Sequence, residues 1–107
     1  MPTITGTDNG ETINGTDDAD VIEGGGGNDI INGLGGDDTI TDSSGSDTID
    51  GGAGNDTIVI DRPSWVTTGE MHISGGDGND YVRYSTPYET SPIYIDLGPG
   101  NDHLLFR

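Results

Sequence analysis

Cysteine is absent from all 107 residues, which excludes a disulfide framework and a thiolate metal site. Lysine is absent too: the only basic side chains are Arg62, Arg83 and Arg107, set against 20 acids for a formal net charge of -17. So few basic groups exclude electrostatic binding of nucleic acid, which depends on neutralising backbone phosphates. The natural counter-ions of such a chain are metal cations. Histidine is confined to His72 and His103, too few for zinc, and the hard oxygen donors that remain point to calcium rather than to a softer metal. No apolar run approaches the length of a membrane span. Hydrophobic residues make up 28% of the chain, too little for an ordinary packed core, and taken with the charge this composition alone resembles that of a disordered acidic segment.

The arrangement of the acids argues otherwise. Taking Gly51-Gly52-Ala53-Gly54-Asn55-Asp56-Thr57-Ile58-Val59 as one unit and stepping back nine residues at a time reaches Asp42, Gly33, Gly24, Gly15 and Gly6 without an insertion. Six nonapeptides therefore run in phase over 6–59. Their sixth positions are Glu11, Asp20, Asp29, Asp38, Asp47 and Asp56, and their eighth positions are Ile13, Ile22, Ile31, Ile40, Ile49 and Ile58. Two more copies follow out of register at 75–83 and 97–105, and Thr3-Ile4-Thr5 reads as the end of a unit whose turn is missing. The spacing predicts a six-residue glycine-rich turn alternating with a three-residue strand. The two-residue period of a strand sends position eight to one face and positions seven and nine to the other, so the isoleucines face inward.

These units resemble the RTX family, the calcium-binding nonapeptide G-G-x-G-x-D-x-U-x of secreted bacterial proteins. The resemblance implies an all-β fold, a right-handed parallel β-roll (a β-helix or solenoid) forming one domain over 1–107. Two nonapeptides then make one circuit, and turns eighteen residues apart stack in two columns. It further implies about six calcium ions, each held by carbonyls of positions two and four and the acid of one turn, together with carbonyls of positions one and three and the acid of the next turn in the column. Carried onto this sequence, one column holds four sites. These are Thr16, Asp18 and Asp20 with Gly33, Gly35 and Asp38; Leu34, Gly36 and Asp38 with Gly51, Ala53 and Asp56; Gly52, Gly54 and Asp56 with Gly75, Asp77 and Asp80; and Gly76, Gly78 and Asp80 with Leu97, Pro99 and Asp102. The other column holds Thr7, Asn9 and Glu11 with Gly24, Gly26 and Asp29, then Gly25, Gly27 and Asp29 with Asp42, Ser44 and Asp47. Glu11, Asn9, Asp18 and the pair Asp42-Ser43 depart from the family pattern. In the irregular segment Asp61 is one further carboxylate that the pattern does not require.

The resemblance also implies a calcium-triggered folding module, secreted through a type I apparatus and folded outside the low-calcium cytosol. Met1-Pro2-Thr3 opens on the repeats without a basic and apolar leader, so export is directed from elsewhere or the chain is an excised module. The family's C-terminal export signal is not evident after Leu105-Phe106-Arg107.

Between Ile60 and Met71 and between Tyr84 and Ile93 the glycine turn is lost, while His72-Ile73-Ser74 and Tyr94-Ile95-Asp96 still read as strands. Trp65, Tyr81, Tyr84, Tyr88, Tyr94 and Phe106 all lie in this half, as do the three arginines, and are read as cover for the irregular flank. A carbohydrate platform is the other reading of those rings. An adhesive or ice-binding surface would use the outward threonines Thr3, Thr39 and Thr57 of one sheet and Thr12 and Thr48 of the other, but Val21, Tyr81, Ile30 and His72 interrupt both files. Catalysis is not expected, because acids recur at every turn and no pair is singled out. Each end of the stack presents half shells, Gly98, Gly100 and Asp102 at one end and Gly15, Asp17 and Asp20 with Gly6, Asp8 and Glu11 at the other, and the N-terminus reads as uncapped. Calcium bridging Asp102 of one molecule to Asp20 of the next would give head-to-tail self-association. The alternative is half shells completed by water.

Overall fold

Threonine, isoleucine and valine are stiff at χ1 and suit a pleated surface, so each short apolar run between turns becomes a strand. The computed structural model describes residues 3–7, 9–42, 45–61, 70–85 and 93–106. Among these described residues are eleven strands: β1 (Thr3–Thr5), β2 (Thr12–Asn14), β3 (Val21–Glu23), β4 (Ile30–Asn32), β5 (Thr39–Asp42), β6 (Thr48–Asp50), β7 (Thr57–Asp61), β8 (Met71–Ser74), β9 (Tyr81–Ser85), β10 (Ile93–Asp96) and β11 (His103–Phe106). Odd strands form a six-stranded sheet in the order β1-β3-β5-β7-β9-β11, and even strands form a five-stranded sheet in the order β2-β4-β6-β8-β10. Every pairing is parallel and joins equivalent repeat positions, for example Ile22 with Ile40, Ile40 with Ile58 and Ile58 with Val82. The chain is a parallel β-roll, as the family resemblance implies.

An inward aliphatic from each of β2 to β9 fills the space between the sheets: Ile13, Ile22, Ile31, Ile40, Ile49, Ile58, Ile73 and Val82 are buried, with Ile4 and Ile95 packed against them. The first circuits advance eighteen residues, as between Asp38 and Asp56, whereas Asp56 to Asp80 takes 24 and Asp80 to Asp102 takes 22. The additional residues fall between β7 and β8 and between β9 and β10, the connections that correspond in chain order to the Asp47 turn between β5 and β6.

The strands flanking these longer connections extend beyond the sequence expectation. Ile60 continues β7, Met71 opens β8 and Tyr84 continues β9, and all three are fully buried. Ile60 and Tyr84 are the register partners that follow Asp42. A side chain at this first repeat position points into the roll. Once the glycine turn is given up, an apolar residue there adds to the core, so Tyr84 is an interior residue rather than cover for the flank. Trp65, Tyr88, Arg62 and Arg107 lie outside the described residues.

Candidate metal centre

Five of the glycine-rich turns share one backbone form. Positions two and four have positive φ in Gly25 and Gly27, Leu34 and Gly36, Gly52 and Gly54, Gly76 and Gly78, and Gly98 and Gly100. At Gly52 a Cβ would run into the carbonyl of Leu34 one circuit earlier, and at Gly54 into that of Gly36, so both the conformation and the close stacking of turns exclude a side chain there. Leu34 is the one non-glycine described in this region, with φ of 71° and an exposed side chain. An L residue is strained in that conformation by roughly 1–2 kcal/mol, part of which glycine's greater freedom in the unfolded chain offsets. Leu34→Gly is therefore expected to raise stability by up to about 1 kcal/mol, measured by denaturant unfolding in calcium; a loss of stability would contradict the strain argument.

The sixth-position acids form a ladder between circuits. The backbone N–H groups of Asp20, Asp38, Asp56 and Asp80 donate to Oδ1 of Asp38, Asp56, Asp80 and Asp102 at 2.9, 2.8, 2.9 and 2.8 Å. In the other column Glu11 N–H donates to Asp29 Oδ1 at 3.0 Å and Asp29 N–H to Asp47 Oδ1 at 2.7 Å. One oxygen of each carboxylate is thus fixed by protein. The second is not: Oδ2 of Asp29, Asp38, Asp47, Asp56 and Asp80 is buried without a hydrogen-bond partner. Removing a carboxylate from water without compensation costs several kcal/mol, so these oxygens require a cation or a proton.

The space they face is lined by carbonyls of the next turn. A Cβ on Gly33 would lie 2.6 Å from Asp38 Oδ2 and 2.5 Å from the Gly51 carbonyl; on Gly51 it would meet Asp56 Oδ2 and the Gly75 carbonyl, and on Gly75 Asp80 Oδ2 and the Leu97 carbonyl. Each of these pairs joins residues that the sequence assigned to one site. At position three, Gly35 and Ala53 donate their N–H groups to the carbonyls of Thr16 and Leu34, while Asp77 and Pro99 are exposed. Gly26 donates likewise to Thr7. Asp61 ends β7 as an exposed residue, and Ser44 lies outside the described residues.

The first two turns are built differently. Thr7, Asn9, Thr16 and Asp18 stay out of the left-handed region. Thr16 instead closes on its own turn: its N–H donates to Asp20 Oδ2 at 2.6 Å and its hydroxyl donates to Asp20 Oδ1 at 3.0 Å. Thr7 N–H donates to Glu11 Oε1 at 2.5 Å. In both turns the acid is thus held from within its own turn by the residue at position two. At Thr16 the hydroxyl adds a side-chain bond to the acid of its own turn. Of the half-shell residues named for this end, Asp8 is outside the described residues.

Charge and burial act together on the acids. Burial pushes the carboxyls of Asp38 and Asp56 up to about 6 and about 7, with neighbouring acids adding to the shift and the backbone N–H donated to each opposing it. Burial likewise raises Asp29 and Asp80. A divalent cation between the turns would supply the missing partner to Oδ2 and offset the repulsion, and the donor set of carboxylates and carbonyls is that of calcium. The residues fit the metal their pattern implies.

A model of the RTX calcium-binding nonapeptide repeat matches residues 5–40, 33–59 and 72–85, well over half of the chain. The chain belongs to this family. Neither a curated protein nor a solved structure is matched. As an RTX domain the chain is a calcium-binding structural element, not an enzyme. Its two histidines are outward residues stacked on tyrosines, His72 on Tyr94 at 4.8 Å and His103 on Tyr81 at 6.0 Å between ring centres, with His72 Nε2 also 3.0 Å from Glu70 Oε1. No helix among the described residues is long and apolar enough to cross a membrane.

Sequence reading missed two parts of this centre. The fifth-position side chains form a second ladder of opposite direction: Ser46, Asn55, Asn79 and Asn101 donate N–H to Oδ1 of Asn28, Asp37, Asn55 and Asn79. The recurrence of Asn before the acid was the available signal. The other part is the side chain of Asp42, assigned only a carbonyl role, whose carboxylate is buried beside those of Asp29 and Asp47.

Proposed function

We propose that this domain is a calcium-triggered folding module of a secreted protein, holding about six ions, four in the column from Asp20 to Asp102 and two in the column from Glu11 to Asp47. The observation that carries the reading is the set of buried Oδ2 atoms without a partner, on Asp29, Asp38, Asp47, Asp56 and Asp80. Each ion takes an Oδ2 from one circuit and carbonyls from the turns on either side of it, so the metal ties successive circuits together and folding is coupled to binding. Where calcium is scarce the chain stays extended and fits a secretion channel; where calcium is abundant it closes. Family membership supports an extracellular site of action. A calcium bridge from Asp102 of one molecule to Asp20 of another would first have to displace Thr16, so head-to-tail association is secondary to folding. Atomic emission on gel-filtered, calcium-loaded protein is expected to count about six ions per chain. Two or fewer would overturn the ligand assignment.

A further inference from the structure

The first repeat position is glycine in Gly6, Gly24, Gly33, Gly51 and Gly75, and in the metal turns a Cβ there would strike a carboxylate or a carbonyl. Asp42 breaks this rule. It ends β5 with its side chain directed into the roll, in register with Ile60 of the next circuit, and it is 2% exposed. Its Oδ1 lies against Gly24, where an added Cβ would be 2.9 Å away, so glycine at 24 leaves the room that this carboxylate occupies. Carboxylate oxygens of Asp29, Asp42 and Asp47 all fall within 4.8 Å of one another. Asp29 and Asp47 are each 1% exposed, and the Oδ2 of each has no hydrogen-bond partner.

Three buried carboxylates converging this closely repel one another and call for a cation or protons between them. Among the described residues this is the one such group of three, whereas the opposite column brings together two sixth-position acids per site. The affinity of oxygen-ligand sites rises with the number of charged ligands. We propose that Asp29, Asp42 and Asp47 form a three-carboxylate site, distinct from the two-carboxylate sites, that holds calcium most tightly of all and prefers a trivalent cation of similar size. With calcium the three carboxylates and the ion sum to one negative charge; with a trivalent lanthanide they sum to zero. Removing the Asp42 charge weakens the trivalent ion more than the divalent one, because the attraction scales with the charge of the ion. The site ties the turn between β3 and β4 to the turn between β5 and β6, so it acts as the anchor of that column.

The inference rests on the calcium reading above and fails separately from it. Calcium-loaded, folded protein is titrated with terbium while paramagnetic broadening is followed in the amide NMR spectrum. The first equivalent is expected to broaden residues around Asp29, Asp42 and Asp47 at a free terbium concentration about tenfold or more below that needed around Asp56 and Asp80. In Asp42→Asn, and in Asp42→Gly, which restores the family's own residue, that early step is expected to vanish while calcium still folds the chain. A role for Asp42 in packing alone would weaken calcium and terbium alike and leave the order of filling unchanged, which overturns the proposal. An even spread of the first equivalent in the unaltered protein, or an unchanged first step in both variants, overturns it as well. Were the unaltered chain equally folded in chelator, the calcium reading itself would fall, and this inference with it.

Discussion

In chelator at neutral pH the domain is expected to lose its β-sheet circular dichroism and expand to the dimensions of an unfolded chain, and millimolar calcium is expected to restore the roll. The first strands contribute a single inward aliphatic each, as Ile22, Ile31, Ile40 and Ile49 do, and that burial is too little to offset the ordering of a nine-residue unit. The buried, unpartnered Oδ2 atoms of Asp29, Asp38, Asp47, Asp56 and Asp80 oppose folding, as does a net charge of -17. The metal reverses the sign of this local balance. A β signal that survives chelator unchanged at neutral pH would falsify the coupling.

Protons provide a second way to neutralise the same oxygens, and the sign follows from the raised carboxyls. In the metal-free roll Asp38 and Asp56 are held near 6 and 7, above the ordinary 3.8 that they regain on unfolding, so the folded state binds more protons. Their penalty is fully present above about pH 7 and is relieved as pH falls from there towards 4. Acidifying the chelated protein is therefore expected to recover part of the β signal. In limiting calcium the same acidification should raise the calcium requirement, since protons and metal compete for Oδ2. A chelated chain that unfolds further on acidification would contradict the sign.

Much of this architecture was legible because the repeat is rigid. A fixed spacing of two between acid and isoleucine sets both the turn and the inward face, and eighteen-residue stacking follows once strands pair in parallel. What escaped the reading were events between circuits. Thr16 stood in the pattern only as a position-two carbonyl, yet its hydroxyl and N–H serve Asp20 within the same turn. Ile60 and Tyr84 looked like the start of irregular connections, but a side chain at that register points into the core. Asp42 shares the register of both, and only the neighbouring circuits reveal that its carboxylate converges with two others. The ladder of fifth-position side chains escaped for the same reason, since each of its bonds spans a full circuit.

Position in the column sets how much a single acid matters, and Asp56 stands at its middle. Its Oδ1 accepts the N–H of Asp38 at 2.8 Å, its own N–H donates to Asp80 at 2.9 Å, and its Oδ2 has no protein partner. In the proposed ligand sets it serves two ions, one with Asp38 and one with Asp80. Asp56→Asn keeps an oxygen for the ladder and removes the charge, so the calcium-loaded protein is expected to lose about 3 kcal/mol or more of unfolding free energy, the scale of breaking a buried ionic group. Asp56→Ala also leaves the buried N–H of Asp38 without an acceptor, adding about 1–3 kcal/mol. Asp61→Asn, at the exposed end of β7, is expected to stay within about 0.5 kcal/mol of the unaltered protein. Denaturant unfolding at saturating calcium compares the three. Equal, small losses at positions 56 and 61 would mean that the buried carboxylates do not hold metal. Equal losses for Asn and Ala at 56 would mean that the inter-circuit hydrogen bond contributes nothing, and that charge alone ties the circuits together.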